Sequence, residues 1–377
     1  MTSYLFILGR TPLLAFVELQ TFFPHVARVS VDLASCEAQF SLPAASILSR
    51  LGGTVKIAQN FGAIVDITPE TLAPFFDTTR GRFSFGVSSY GGIPKVSREF
   101  LEGIKLLLEG CGVSVRFVES RDGAALSSVV VEKNQLQELV IAKTGVGYVV
   151  GRTVAVQPFD TWGQRDFGRP HADPKAGMLP PKVSRMVVNI ADRRRDIGKV
   201  LAQKTLLDPF CGMGTILSEA LVMGWNVVGA DLDTDVVTRA RANIRWLTET
   251  KKAAEGVTYR FNVSDAVHVS AAVDASTIDA IVTEPFMGPP KVRDVKNTLK
   301  GLEKLYIGCL RDWHTVLKPQ GVVMMALPMY ELGGRMYFVK KVIDMCETLG
   351  YTIVTGPIEY SRPQAIVKRV FYLFQKK

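Results

Sequence analysis

Residues 205–231 constrain the fold of this chain more than any other stretch. Thr205-Leu206-Leu207 reads as a buried strand, and Asp208-Pro209-Phe210-Cys211-Gly212-Met213-Gly214 as a turn. A helix opens near Thr215 and stops at Gly224, and a second apolar strand ends in Asp231. That is a strand–helix–strand unit whose first turn carries small residues where backbone approaches a ligand. The same alternation continues, with strands expected at 205–207, 226–230, 258–262, 278–283 and 321–327, then a closing pair near 352–357 and 366–374. The expectation is an α/β domain: a mostly parallel, doubly wound sheet with a C-terminal antiparallel hairpin. Ligands bind such sheets beyond the carboxyl ends of their strands. Asp208, Asp231, Asp265 and Glu284 each follow a predicted strand, so all four are expected to face one crevice.

The turn itself narrows the ligand. A dinucleotide fold wants a third glycine for helix–strand packing, but Leu217 stands there, and no phosphate-loop lysine follows. Asp208 is a poor neighbour for a pyrophosphate and a good one for a cation or an α-amino group. Asp231 suits a ribose diol, because a carboxylate accepts two hydrogen bonds. S-adenosylmethionine, a nucleoside with an amino-acid tail and a sulfonium charge, satisfies both. The competing reading is a turn whose glycines serve only the turn. Asp-Pro-Phe-Cys-Gly-Met-Gly-Thr resembles the first motif of RNA methyltransferases that modify exocyclic nitrogens, which implies a Rossmann-like methyltransferase domain.

At 377 residues the chain is long for one domain, and its 47% hydrophobic and 21% charged residues suit globular protein. The five cysteines (Cys36, Cys111, Cys211, Cys309, Cys346) lack paired spacing, and the four histidines are dispersed. Neither a disulfide frame nor a metal site is expected. No run approaches the roughly 18 apolar residues of a membrane span, and the first residues lack the basic flank of a signal peptide. A cytoplasmic protein with no membrane partner is expected. The net charge of +9 is uneven: residues 151–200 hold ten Lys/Arg against five Asp/Glu, and the last 27 residues five against one. Those two excesses account for the whole of it, which favours a polyanionic partner, although a basic stretch is also an ordinary solvated face.

Residues 1–70 read in the order βαββαβ, a ferredoxin-like unit. Its elements are a strand at Tyr4–Leu8, a helix at Pro12–Phe23, a hairpin from Val26–Leu33 and Glu37–Phe40, a helix at Pro43–Leu51 and a strand at Val55–Gln59. Residues 71–165 read as strands at Arg82–Tyr90, Ser114–Val118, Ser127–Val131, Glu138–Ala142 and Val146–Ala155, with a helix at Ser97–Leu108. Lys105-Leu106-Leu107-Leu108, Val115-Arg116-Phe117-Val118 and Leu126 to Asn134 resemble a THUMP domain, a module of tRNA-modifying enzymes. An α+β domain of another role is the alternative. Pro and Gly over Phe159–Pro170 and Met178–Val183 predict turns around a linker at 166–180, before a methyltransferase domain at 181–377. Within these stretches Arg165-Asp166-x-x-Arg169-Pro170 and Leu179-Pro180-Pro181-Lys182 resemble segments of THUMP methyltransferases. The second leads a helix, fitted by Met186–Ile190, beside the cofactor pocket. Arg193-Arg194-Arg195 faces either a phosphate backbone or solvent.

Thr283-Glu284-Pro285-Phe286-Met287-Gly288 stands where amino-methyltransferases carry Asp/Asn-Pro-Pro-Tyr/Phe. An exocyclic amine conjugated to its ring has little lone-pair availability. A side-chain oxygen and a backbone carbonyl accepting its hydrogens localise that pair, and an aromatic face holds the unstacked base. Here Glu replaces Asp/Asn and one Pro precedes Phe286. Sliding the match by one residue restores the aromatic but puts Thr283 on the acid. The reading adopted makes Glu284 the amine acceptor and Phe286 the platform, with Pro285 between them. Cys211 is a small apolar filler of the cofactor turn, so base-carbon methylation through a cysteine is disfavoured.

Overall the chain resembles the archaeal and eukaryotic THUMP enzymes that methylate N2 of a guanosine at position ten in tRNA. The resemblance implies cofactor contacts from Asp208, Phe210, Gly212, Gly214, Thr215, Asp231, Asp265 and Pro181. In it Asp265 accepts from the adenine amino group, although a lone Asp there equally caps the next element. It implies tRNA contacts from Arg165, Arg169, Lys182, Arg362 and Arg369. It leaves open a small activating subunit, the oligomeric state, and one or two methyl additions. The alternatives are another nucleic-acid amino-methyltransferase, acting on rRNA or on adenine in DNA, and an RNA-binding protein without catalysis.

Overall fold

The computed structural model describes residues 2–145, 147–173, 178–193, 197, 203–250, 252–289, 292–361 and 367–377. Two compact units emerge, one of residues 1–161 with 194–199, the other of 162–193 with 200–377.

The first unit runs β1 (Thr2–Leu8), α1 (Pro12–Phe22), β2 (Ala27–Arg28), β3 (Leu33–Ala38), α2 (Ala44–Arg50), β4 (Thr54–Ile64), α3 (Pro69–Leu72), β5 (Arg82–Tyr90), α4 (Arg98–Gly110), β6 (Ser114–Phe117), α5 (Ser128–Lys133), β7 (Gln137–Thr144) and β8 (Gly147–Val156). Its eight strands form one sheet among the described residues, in the order β2-β3-β1-β4-β8-β7-β5-β6. The segments 1–70 and 71–165 meet in this sheet, because β4 pairs antiparallel with β8. A buried network ties them further. Glu138 of β7 accepts from Lys56 of β4, from Ser88 of β5, and from Thr153 Oγ1 of β8 at 2.6 Å. Lys56 Nζ also donates to the Leu126 carbonyl at 2.7 Å. Both charges lie inside and each has its counterpart, the condition under which a buried pair is tolerated.

α4 shows how sequence makes a helix here. Ser97 Oγ caps it by accepting the Phe100 N–H at 3.2 Å, and Leu101, Ile104 and Leu108 fall on one buried face. Each such burial contributes roughly 1.5–3 kcal/mol. One sequence expectation fails nearby. Ser127–Val131, expected as a strand, is the start of α5. Ser127 Oγ accepts the Val130 N–H at 3.3 Å, so a cap overrides the β preference of three valines.

The second unit starts inside α6 (Phe159–Phe167), a helix where turns were expected, and continues with α7 (Pro181–Asp192), β9 (Thr205–Asp208), α8 (Thr215–Val222), β10 (Asn226–Asp231), α9 (Thr234–Glu249), β11 (Tyr259–Val263), β12 (Ile278–Thr283), α10 (Val295–Val316), β13 (Leu317–Leu332), β14 (Arg335–Phe338), α11 (Lys340–Asp344), β15 (Tyr351–Tyr360) and β16 (Val367–Lys376). Its sheet runs β11-β10-β9-β12-β13-β16-β15, with β14 on β13. The first five strands in that order are parallel, and β16 is antiparallel to both neighbours. The order reverses beside β9, where chain direction sends β10 one way and β12 the other, so the crevice opens at the carboxyl end of β9. The central strands are apolar on both sides; Leu206, Leu207, Ile281, Val323 and Met324 are fully buried.

Candidate active site

Adjacent parallel strands deliver three acids to one edge. Asp208 ends β9, Asp231 ends β10, and Glu284 follows the end of β12. Asp265, beyond β11, caps the short 3-10 helix Ala266–Ala271 by accepting the Val267 N–H at 3.1 Å, and it is half exposed.

Asp208 is the unusual one. Only 2% of it is exposed, and its Oδ1 accepts the Thr283 hydroxyl at 2.7 Å and the Phe210 N–H at 3.2 Å. Burial pushes its pKa up to about 7, against those two hydrogen bonds, and the charges of Asp231 and Glu284 push the same way. Asp231 holds the glycine turn, accepting Gly212 N–H at 3.1 Å and Asp233 N–H at 3.3 Å. Gly212 and Gly214 have φ of 49° and 79°, left-handed values that a side chain would strain. A Cβ on Gly212 would meet nothing within 4 Å, so the turn presents open backbone. Gly214 caps α8 without a side-chain hydrogen bond.

Two residues with no expected role at the cofactor turn brace it. Asn243 of α9, 2% exposed, donates to the Met213 and His171 carbonyls at 2.9 Å and accepts the His171 N–H at 2.9 Å. Thr283 commits its hydroxyl to Asp208. Their signals were weak: an Asn in a polar helix and a β-branched residue ending a strand look ordinary. Phe210 packs edge-on to Trp313 at 6.4 Å, and Cys211 is buried, which raises its thiol pKa well above the usual range. It is no nucleophile.

The segment after Glu284 is braced as well. Tyr306 Oη of α10 donates to the Phe286 carbonyl at 2.6 Å, and Tyr330 Oη of β13 donates to the Met287 carbonyl. Gly288, at φ 98°, is required there, because a Cβ would overlap the Tyr330 hydroxyl. Pro285 is buried, and its carbonyl takes no hydrogen bond among the described residues. Phe286 is 56% exposed. Glu284 is ion-paired with Arg369 of β16.

Three of the basic residues expected to meet RNA, Arg165, Arg169 and Arg369, are turned to partners on the protein. Arg165 is buried: its Nε donates to Glu219 of α8 at 2.9 Å, and its guanidinium lies 4.3 Å from the Trp162 ring centroid. Arg185 of α7 reaches the same carboxylate at 2.6 Å. A cation inside this cluster offers a phosphate no surface. Arg169 donates to Thr215 Oγ1 at 2.9 Å, with its side chain only 9% exposed. It supports the start of α8 rather than facing outward. Arg369 is turned toward Glu284, again because a carboxylate stands within reach. Lys182 lies 5.6 Å over the Trp162 ring, and Pro181 is buried in the first turn of α7. Arg194, Arg195 and Arg362 lie outside the described residues. No group of acids, cysteines and histidines fit to hold a metal occurs among the described residues, and no described helix is long and apolar enough to cross a membrane.

Comparison with known proteins agrees with this geometry. The family described as "UPF0020: RMKL-like, methyltransferase domain" matches residues 173–335. A protein of Pyrococcus abyssi named tRNA (guanine(10)-N2)-dimethyltransferase is 29% identical over 215 residues, covering 57% of this chain and 53% of the relative. One of the same name from Methanothermobacter thermautotrophicus is 34% identical over 48% of each chain. A Methanothermococcus thermolithotrophicus protein named a probable tRNA (guanine(10)-N2)-dimethyltransferase is 30% identical over 32% of this chain and 68% of its own length. The chain thus spans about half the length of the first two relatives. The crystal structure of TrmN from Thermus thermophilus superposes over 100% of both chains with a TM-score of 0.57 at 18% identity, which establishes a shared fold. The chain belongs to the family of the tRNA (guanine(10)-N2)-dimethyltransferases.

Proposed function

We propose that this protein transfers methyl groups from S-adenosylmethionine to N2 of a guanine in tRNA, at position ten as the relatives' names specify. The observation that carries the reading is the buried Asp208 with Asp231 and Glu284 beside it on one strand edge. The charges of Asp231 and Glu284 add to the cost that burial puts on ionising Asp208, and a cationic ligand relieves it. The cofactor's chemistry fits these residues. Asp208 would hold its ammonium group, Asp231 its ribose hydroxyls, the Gly212–Gly214 backbone would lie beneath it, and Phe210, Thr215, Asp265 and Pro181 would complete its surroundings. When bound, its sulfonium supplies an electrophilic methyl group.

The chain's own residues then prepare the amine. Glu284 accepts one hydrogen of the guanine N2, and the Pro285 carbonyl accepts the other. Tyr306 and Tyr330 occupy the next two carbonyls, which leaves Pro285 the carbonyl able to serve. The exposed Phe286 ring stacks the unstacked base. As the N–C bond forms the nitrogen loses a proton to Glu284 or to solvent. The commitment of Thr283 to Asp208 supports Glu284 as the acid of the motif. Residues 71–165 act as a THUMP domain that binds tRNA by shape and backbone. The test is to incubate the full chain with labelled donor and unmodified tRNA, then identify the nucleosides by mass spectrometry. Label in N2-methylguanosine is expected, and label absent from guanine would overturn the reading. The Glu284–Arg369 pair favours one second reading, an RNA-binding protein without catalysis. In that case the wild type and Glu284→Ala would be equally inert.

A further inference from the structure

We infer that a groove along the outer face of α10 binds the phosphate backbone of the RNA substrate. The inference rests on the tRNA reading above and adds a second contact surface, on the methyltransferase unit itself. A cleft of about 710 Å³ lies between α10, α11 and the 3-10 helix after β11. Its floor is apolar or backbone, with Val267 and Gly301 among the lining, and its walls are basic: Lys300, Lys304 and Arg311 from α10 and Lys341 from α11. All four are exposed. Spacings of four and seven residues place the three α10 cations within about 40° of one another around the helix and spread them over about 16 Å of its length.

Several other basic residues of this unit are paired. Arg165, Arg185 and Arg369 are consumed by carboxylates, and Lys318 by Asp279 at 2.8 Å. The side chains of the four groove cations enter no hydrogen bond, ion pair or ring contact among the described residues. The nearby acids are engaged. Glu303, which also lines the cleft, accepts the Lys341 backbone N–H at 3.1 Å, and Asp312 takes the Ser270 N–H and hydroxyl at 3.0 and 2.6 Å. A row of unpaired cations over an uncharged floor fits a repeating anion better than a single small one. The N-terminal end of α10 lies beside the reactive loop: Thr298, in its first turn, is 3.3 Å from where a Cβ of Gly288 would stand. A strand whose base is held at Phe286 passes this end of α10.

The test compares wild type, Lys300→Gln/Lys304→Gln/Arg311→Gln, and a charge-matched control on α9 and the residues just after it, Arg239→Gln/Arg245→Gln/Lys252→Gln. Affinity for unmodified tRNA is measured across a salt series. Each lost phosphate contact flattens the slope of log K against log salt by about 0.7–0.9. The groove variant is therefore expected to lose about 2–3 from that slope and roughly tenfold or more in affinity at low salt. KM for tRNA should rise with kcat at saturation unchanged, and donor affinity by calorimetry should stay at the wild-type value. The control should keep its slope. A groove variant that binds like wild type, or a control that loses as much, would overturn the groove and leave the substrate reading standing. A wild type that does not bind tRNA at all would overturn both.

Discussion

Asp208→Asn should make the ligand-free protein more stable while damaging its binding site. The folded carboxyl titrates near 7, and the unfolded one near 3.8. Because the folded pKa is the higher, the native state holds a proton that the unfolded chain releases between those values. Asp208 therefore costs nothing below about pH 4, costs progressively more through pH 4–7, and its full penalty stands above pH 7. Three pK units at about 1.4 kcal/mol each put that penalty on the order of 4 kcal/mol. Asparagine carries no charge at any of these pH values, and its amide oxygen accepts from Thr283 and Phe210 as Oδ1 does. The variant should exceed wild type by no more than about 1 kcal/mol at pH 4.5 and by about 3–4 kcal/mol at pH 8. For a unit of this size that is roughly 6–16 °C in Tm at the higher pH. Thermal melts at both pH values, with and without S-adenosylhomocysteine, provide the assay. The ligand should raise the wild-type Tm more than the variant's, since the ammonium that neutralises Asp208 has no partner in Asn. A variant less stable than wild type at pH 8, or an equal difference at the two pH values, would refute the reasoning.

Other perturbations have outcomes fixed by the same geometry. Glu219→Leu leaves Arg165 and Arg185 buried without their shared carboxylate and should cost about 3–5 kcal/mol. Arg165→Met should cost clearly less in urea titration, because Arg185 still holds Glu219 at 2.6 Å; equal losses would show that the pairs do not share one acid. Glu284→Gln should lower the methylation rate by about 10²-fold or more with donor affinity unchanged. Weakened donor binding in calorimetry would instead place Glu284 at the cofactor. Gly288→Ala should cut activity at least tenfold by displacing the Tyr330 hydroxyl, and Gly288→Ala/Tyr330→Phe should recover part of it. A double variant no better than the single one would mean the left-handed backbone, not the overlap, is decisive.

What was legible in the sequence follows from what a sequence encodes locally. The strand–turn–helix at 205–231 announced itself because turn glycines and short unbroken apolar runs are properties of neighbours along the chain. The Val129–Val131 run misled for the same reason, since a β-branched run and a serine cap compete within six residues and the fold chose the cap. Charges carried less. Arg165, Arg169 and Arg369 each had the right sign for RNA, but sign says nothing of address. The clue to Arg165 lay elsewhere, in an acid out of place. Glu219 sits within Thr-Ile-Leu-Ser-Glu-Ala-Leu-Val, an apolar helix whose burial an unpaired carboxylate would oppose, and such a residue demands an arginine from some other element. The same reasoning runs outward. Lys300, Lys304 and Arg311 share a helix face beside which Glu303 is partly committed to backbone and Asp312 to Ser270. Basic residues become candidates for RNA only after the buried acids have claimed theirs, and in this chain the sorting moves the RNA-facing charge from the linker to α10.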